Sequence, residues 1–381
     1  MSVDTAVRIG IDRTQMLHAE PSTGHNRWHP DIPPITTVGP SQVVGLETRD
    51  ALDGQVRPDS TAEDLRRINL NVVHPLTGPV YIKGAEPGDL LEVTLVDIEP
   101  QPFGFTIQIP GFGFLRDLFP EPHIVRWNIA NGFATSADLP GVRIPGAPFM
   151  GVIGVAPSHE LLEQINRREA DLARRGGMVL PPEATDAVPA DPVIARTAVR
   201  TIAPHETGGN VDIKQLTKGT VVRVPVYVPG ALFSVGDAHF AQGDGESCGT
   251  AVEMGATCYC SFNVIKDAAA ARNIRDVQYY RNDYFTTPEM AAPQRFFATT
   301  GQSYTREGVA HSEDATLAAR NALLNMIDYL VHERGFTRQQ AYAICSVAVD
   351  LKISELVDVP NFVVSAFLPL DIFVYGSGTT A

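Results

Sequence analysis

The eighteen residues from Gly236 to Glu253 hold four carboxylates (Asp237, Asp244, Glu246, Glu253), one imidazole (His239), one thiol (Cys248) and four glycines. Crowded together as bare anions, these acids repel one another, so a divalent cation, a shared proton or a facing base is expected among them. Asp237 and His239 are two residues apart and point to one face if the chain is extended there. A carboxylate oxygen with an imidazole nitrogen is a usable ligand pair for zinc and several other divalent ions, and a third ligand from elsewhere leaves a position open for water. Gly243 and Gly245 let the backbone bend so that Asp244 or Glu246 can face the same point. The competing reading is a turn whose acids accept backbone N–H bonds, with His239 a wall residue. A lone Asp–His pair would favour that turn; the density of groups here favours a site.

Other segments offer further groups. Asp212, after Gly208-Gly209-Asn210-Val211, is a fourth ligand, an orienter of His239, or part of an Asx-type turn. His74 is held extended by Pro75, and either reaches the site or is a buried histidine bonded to a backbone carbonyl. Cys248 could serve as a nucleophile through its thiolate. Glu246 and Glu253 would raise its pKa unless a cation such as Lys214 or Lys83 stands near, so a packed, inert thiol is the preferred reading.

The elements that must carry these groups read as short strands in the first half. Residues 42–48, 79–83 and 90–98 are β-branched and closed by Gly, Pro or Asp. Glu86-Pro87-Gly88-Asp89 suits a tight turn with Gly at the position of positive φ. This punctuation favours sandwich or barrel units over a βαβ series. Residues 222–228 read as a strand that turns at Pro229-Gly230 toward the acid-rich segment. Residues 101–126, rich in Phe and Gly, read as a loop pinned by its rings or a flap lining an apolar entrance. Ser158 can cap a helix running to about Arg175. Prolines 181, 182, 189, 192 and 204 mark an extended connector, dividing a β-rich part (1–200) from the part carrying the acid-rich segment (201–381). Near the C-terminus Ser312, with Glu313 and Asp314, is expected to cap a helix whose stripe runs Leu317, Leu324, Ile327, Val331, widened by Leu323 and Leu330, until Gly335 ends it. Thr337 and Gln340 form a capping box for a second helix. The two helices are expected to cover a sheet, and residues 376–381 to form a loose tail.

With 381 residues, 44% apolar and 19% charged, the chain is expected to fold into two or three packed units. A net charge of −14 disfavours nucleic acid and anionic membrane surfaces as partners and is compatible with a small neutral substrate. No apolar run approaches the roughly 18 residues of a membrane span, and the N-terminus lacks a signal-peptide h-region, so a cytoplasmic location is the expectation. Cys248, Cys258, Cys260 and Cys345 are too few and too unevenly spaced for a disulfide framework and are expected to be free thiols.

Several ordered motifs resemble the acetamidase/formamidase family: residues 33–38, His74-Pro75-Leu76-Thr77-Gly78-Pro79, 84–89, 149–157, 208–213, 236–253 and 349–353. The resemblance implies a mainly β fold with β-sandwich and β-barrel units and a smaller α/β part, its two parts interleaved. It further implies a bound divalent metal, a homo-oligomer, and hydrolysis of a short formamide- or acetamide-like amide to ammonia and a carboxylate. The family's acidic and histidine positions fall on His74, Asp212, Asp237, His239, Glu246 and Glu253. On this reading Asp212, Asp237, His239 and His74 hold the metal, zinc being expected and calcium an option as a structural ion, while Glu246 or Glu253 moves the proton. The alternatives are a Cys248 thiol amidase and a non-catalytic small-amide-binding β-sandwich. Residues 103–119 and 279–284 match no family motif and are expected to shape the acyl pocket.

Overall fold

The structure, a computed structural model, describes residues 3–282 and 293–374. Its mainly β frame is built from β1 (Val43–Thr48), β2 (Leu76–Ile82), β3 (Leu90–Gln108), β4 (His123–Ala130), β5 (Phe149–Gly154), β6 (Gly208–Asn210), β7 (Val221–Pro225), β8 (Phe233–His239) and β9 (Glu253–Ile265). In β3, Leu91, Val93 and Leu95 are fully buried while Glu92 and Thr94 between them are not. That is the period of two expected of a strand with one face in the core.

One hydrogen-bonded sheet system joins these strands. β3 runs antiparallel to β9, β4 and β7; β9 also pairs with β1 and, through His239↔Glu253, with β8. β8 in turn lies between β5 and β2, and β5 carries β6 on its other edge. Strands from both sides of residue 200 are therefore direct neighbours. The proline-rich segment is tied down as well: Asn26 Nδ2 donates to Asp186 O at 2.9 Å and Arg27 Nη2 to Glu183 O at 2.8 Å.

β3 is longer than its sequence suggests. It passes Pro100 and Pro102 and continues to Gln108, so Phe103 and Phe105 lie in a strand and the aromatic loop begins only after it. Both prolines are exposed, and the ladder to β9 and β4 outweighs the missing N–H groups.

Helix α1 (His159–Arg174) starts as expected, Ser158 Oγ accepting from Leu161 N; α2 (Pro192–Thr197) is capped by Asp191. The C-terminal helices α3 (Ala315–Arg334) and α4 (Arg338–Ala348) accompany a three-stranded antiparallel sheet made of β10 (Phe296–Gln302), β11 (Asp350–Glu355) and β12 (Val363–Pro369). Helix α3 packs on β10 so closely that a Cβ at Gly301 would fall 2.2 Å from Ala318 O. Its buried face centres on Ala322, Leu323, Ile327 and Leu330, with Leu317 and Val331 at the margins. Ser312 is not its cap: the side chain of Asp314 accepts from Leu317 N at 2.8 Å. Gly335 ends the helix at φ 75°, and Thr337 and Gln340 form the capping box of α4. The expected tail, 376–381, lies outside the described residues. No helix among the described residues is long and apolar enough to cross a membrane.

Candidate active site

Strands β5 and β8 bring the first groups together. Asp237 sits in β8 at φ 54°, a left-handed conformation within a strand, and Gly151 of β5 lies opposite it, between the pairs Met150↔Ala238 and Val152↔Gly236. A Cβ on Gly151 would fall 2.6 Å from both Asp212 Oδ1 and Asp237 Oδ2 and 2.8 Å from His239 Cε1. This glycine is the floor on which the cluster rests. Asp212 arrives from β6: the N–H groups of Val211 and Asp212 both donate to Gly151 O, and Asp212 turns inward at φ 46°. Glu246 comes from the loop between β8 and β9, also with positive φ (40°). Three acids in the left-handed region cost on the order of 1–3 kcal/mol each, the kind of strain that collects at functional sites.

His239 is fully buried, and its Nε2 lies 3.1 Å from Glu253 Oε2, 3.2 Å from Asp237 Oδ1 and 3.9 Å from Glu246 Oε1. Its Nδ1 donates to Gln242 Oε1 at 3.0 Å, the amide orientation being fixed by Gln242 Nε2 donating to Asp212 O at 2.9 Å. Asp212 thus orients His239 through its main-chain carbonyl while its carboxylate faces the cluster. His74 donates Nδ1–H to Thr201 O at 3.2 Å and turns Nε2 toward Asp237 Oδ2, 3.9 Å away. It is both the carbonyl-bonded buried histidine and a member of the cluster. The six residues at the family's acidic and histidine positions meet here, and in two triads, Asp212–His239–Glu246 and Asp237–His239–Glu253, the atoms that could ligate an ion lie within 4.8 Å of one another.

Burial sets the electrostatics. It pushes the Asp212 carboxyl up to about 7, with Asp237 adding to it and His239 opposing, and the Glu253 carboxyl up to about 8 in the same way. Glu246 rises well above the carboxylate range through burial and the charge of Asp212. Asp237, against the effect of burial, is held low by His74 and His239. His239 is raised well above its usual value: burial opposes this, but Glu253 and Asp237 outweigh it. Burial lowers His74. Asp212 Oδ1 is buried without a hydrogen-bond partner among the described residues, and Glu253 Oε2, although 3.1 Å from His239 Nε2, makes no well-directed hydrogen bond. Such atoms call for a proton or a cation.

Asp244 does not join. It lies 3.7 Å from Lys214, which also pairs with Asp350. Cys248 is buried; its thiol lies 3.5 Å from Ile107 O, its N–H donates to Ser346 Oγ, and burial raises its pKa, so it is packed as an inert thiol. All four cysteines are free and buried.

The acids form one end of a cavity of about 370 Å³ whose walls include Leu52, Val73, Ile107, Phe112 and Phe114. The aromatic loop is both pinned and lining. Phe114 N donates to Ser247 O, Leu115 N to Tyr342 Oη of α4, and Tyr342 Oη to Ser247 O. Tyr279 and Tyr280 are elsewhere: the strand Gln278–Tyr280 pairs with β7, and the Tyr280 ring lies under the Arg223 guanidinium. Asp283 and Tyr284 fall outside the described residues.

A family model described as the acetamidase/formamidase family matches residues 10–375. The chain belongs to the acetamidase/formamidase family. It is 36% identical to a formamidase of Methylophilus methylotrophus, over 92% of this chain and 89% of the relative. It is also 36% identical to an acetamidase of Mycolicibacterium smegmatis, over 89% and 88%. Among solved structures, a gamma lactamase from Delftia acidovorans superposes with a TM-score of 0.92 at 37% identity, covering 99% of this chain and 95% of that one. An acetamidase from Bacillus halodurans reaches 0.55 at 26% identity, covering 92% and 96%. As an acetamidase/formamidase family member the chain is an amide hydrolase. What residue types alone missed are Gly151, Gln242 and Thr201; the first two stand inside motifs of the family resemblance, residues 149–157 and 236–253, and Thr201 stands in none.

Proposed function

We propose that the protein hydrolyses a short-chain amide to ammonia and a carboxylate with a divalent metal ion, zinc by the character of its ligands, held by Asp212, Asp237, His239 and His74. The observation that carries this reading is the unpartnered Asp212 Oδ1 facing Asp237 and His239 above a glycine floor. Carboxylate oxygens mixed with imidazole nitrogens suit zinc, whereas calcium takes oxygen ligands and fits two imidazoles poorly. The Nδ1–H bonds of His74 and His239 to Thr201 and Gln242 are the kind that fix a ligating ring. Bound there, such an ion would supply Lewis acidity toward the amide carbonyl and a water of lowered pKa.

Glu246 takes a proton from the attacking water as the C–O bond forms and the carbonyl carbon becomes tetrahedral, then gives it to the amide nitrogen, whose C–N bond breaks to release ammonia and the carboxylate. Both acids line the cavity, but the Glu246 side chain is 17% exposed and that of Glu253 only 2%. Glu246, the more accessible of the two acids, is therefore the one that meets the substrate. The test is ammonia release from formamide, acetamide and propionamide before and after chelation, and with zinc restored. Chelation should abolish release and zinc should restore it; release indifferent to chelation removes the metal. Glu246→Gln should lower kcat by about 10²–10⁴-fold with zinc content intact, and near-full activity in that variant sinks the role given to Glu246.

A second reading, cyclic amides, is favoured by the likeness to the gamma lactamase over nearly the whole chain. Ring opening uses the same water attack and proton delivery but releases no ammonia, since the amine stays on the product.

A further inference from the structure

Resting on the amidase reading, we infer that the preferred substrate is an amide bearing a bulky apolar aryl substituent that runs from the acid cluster past Phe112, Met178 and Ile202. The first observation is size. The cavity holds about 370 Å³, whereas an apolar cavity of about 150 Å³ already admits benzene, and formamide and acetamide are smaller than benzene. A primary short-chain amide at the acids leaves most of that space to water against hydrocarbon.

Continuity is the second observation. A neighbouring cavity of about 290 Å³ shares Phe112, Met178 and Ile202 with the first and adds Leu172, Val179 and Leu180. Those three side chains line both spaces, so a substituent that passes them enters a second, largely apolar space that also holds Glu169 and Arg200. Met178, shared by both spaces, is 57% exposed, and Leu172 of the second is 39% exposed. Large apolar groups left in water beside a reactive cluster mark a ligand groove, and a methionine adapts its shape to what it covers.

Phe112 is pinned on its other side. Its ring lies against Gly249 so closely that a Cβ there would stand 2.6 Å from Phe112 Cδ1, and Tyr342 ties the rest of the loop to Ser247. An aromatic ring held in this way loses little freedom when a flat apolar group packs on it.

The test uses the zinc-loaded full chain with acetamide, phenylacetamide (bulk on the acyl side) and acetanilide (bulk on nitrogen), following ammonia or aniline release. Expected is a kcat/KM for at least one aryl amide about tenfold or more above that for acetamide, in line with what apolar pockets discriminate. Met178→Trp, which obstructs the passage, should lower the aryl-to-acetamide ratio of kcat/KM at least about tenfold. A kcat/KM for acetamide equal to or above both aryl amides overturns the inference and leaves the amidase reading standing. If no amide is turned over, the amidase reading fails by itself and binding decides the inference. Calorimetry on Glu246→Gln then supports it if phenylacetamide binds more tightly than acetamide, and overturns it if the two affinities are equal.

Discussion

Gly151 shows how a residue without chemistry of its own can govern a site. Replacing it with alanine puts a methyl group 2.6 Å from two carboxylate oxygens that must converge. The intruding contacts are with side-chain ends of the cluster rather than with backbone, so the strand should survive. Gly151→Ala is expected to lower zinc affinity or activity about 10–100-fold with little change in Tm, read from metal content per chain and a thermal melt. Cys248→Ala should keep near-full kcat, because the thiol faces Ile107 O and lies in packing outside the cavity lining; loss of turnover with an intact fold would restore the thiol as nucleophile. Asp237, His239, Glu246 and Glu253 were legible in the sequence because acids and an imidazole crowd between glycines there, whereas spacing left Asp212 and His74 open and the family resemblance brought them in. Gly151 was not, since a glycine in a strand has no chemical type to read. Asp244 misled because Gly243 and Gly245 allow the chain to turn either way, and the choice is made by Lys214 and Asp350, distant in sequence.

At the scale of elements, local capping chemistry was readable wherever one residue was decisive, as at Ser158, Thr337 and Gly335. Between Ser312 and Asp314 the sequence offered two caps two residues apart, and the backbone selects the second. Asp314→Ala should therefore cost about 1 kcal/mol of stability, whereas Ser312→Ala should stay within about 0.5 kcal/mol, as measured by urea unfolding. An equal loss in both variants would contradict the observed cap. Strand β3 was illegible beyond Ile98 because Pro100 and Pro102 are local breakers, while the evidence for continuing the strand lies in partners at 123–130 and 253–265. The period of two could be seen in the sequence; the pairing that extends it could not.

For the whole molecule, composition and turn spacing indicated a mainly β protein, but which strands adjoin is settled only by folding. His25 is a link of that kind. Its strand, Gly24–His25, pairs with β2, and its ring lies between Arg27 O and Ser234 Oγ of β8, next to the cluster's own strand. Burial lowers its pKa from 6.5 to about 4, with the Arg27 carbonyl opposing. The unfolded chain takes up this proton near 6.5 and the native one only near 4, so the neutral ring's contribution is complete above 6.5 and is lost as pH falls toward 4. About 3 kcal/mol is at stake. In denaturant titrations the stability difference between the wild type and His25→Gln should shrink by about that amount between about pH 7 and pH 4; a constant difference would mean that His25 is not held neutral. The pairing of β3 with β9 also bears on how the protein is made. A ribosome finishing Gln108 has yet to reach Glu253, and at about 5–20 residues per second the Leu90–Ile98 end of β3 waits on the order of ten seconds for its partner. For that interval a newly made chain carries an unpaired, leucine- and valine-rich edge, so its yield in a cell depends on what shields that edge before the second half emerges.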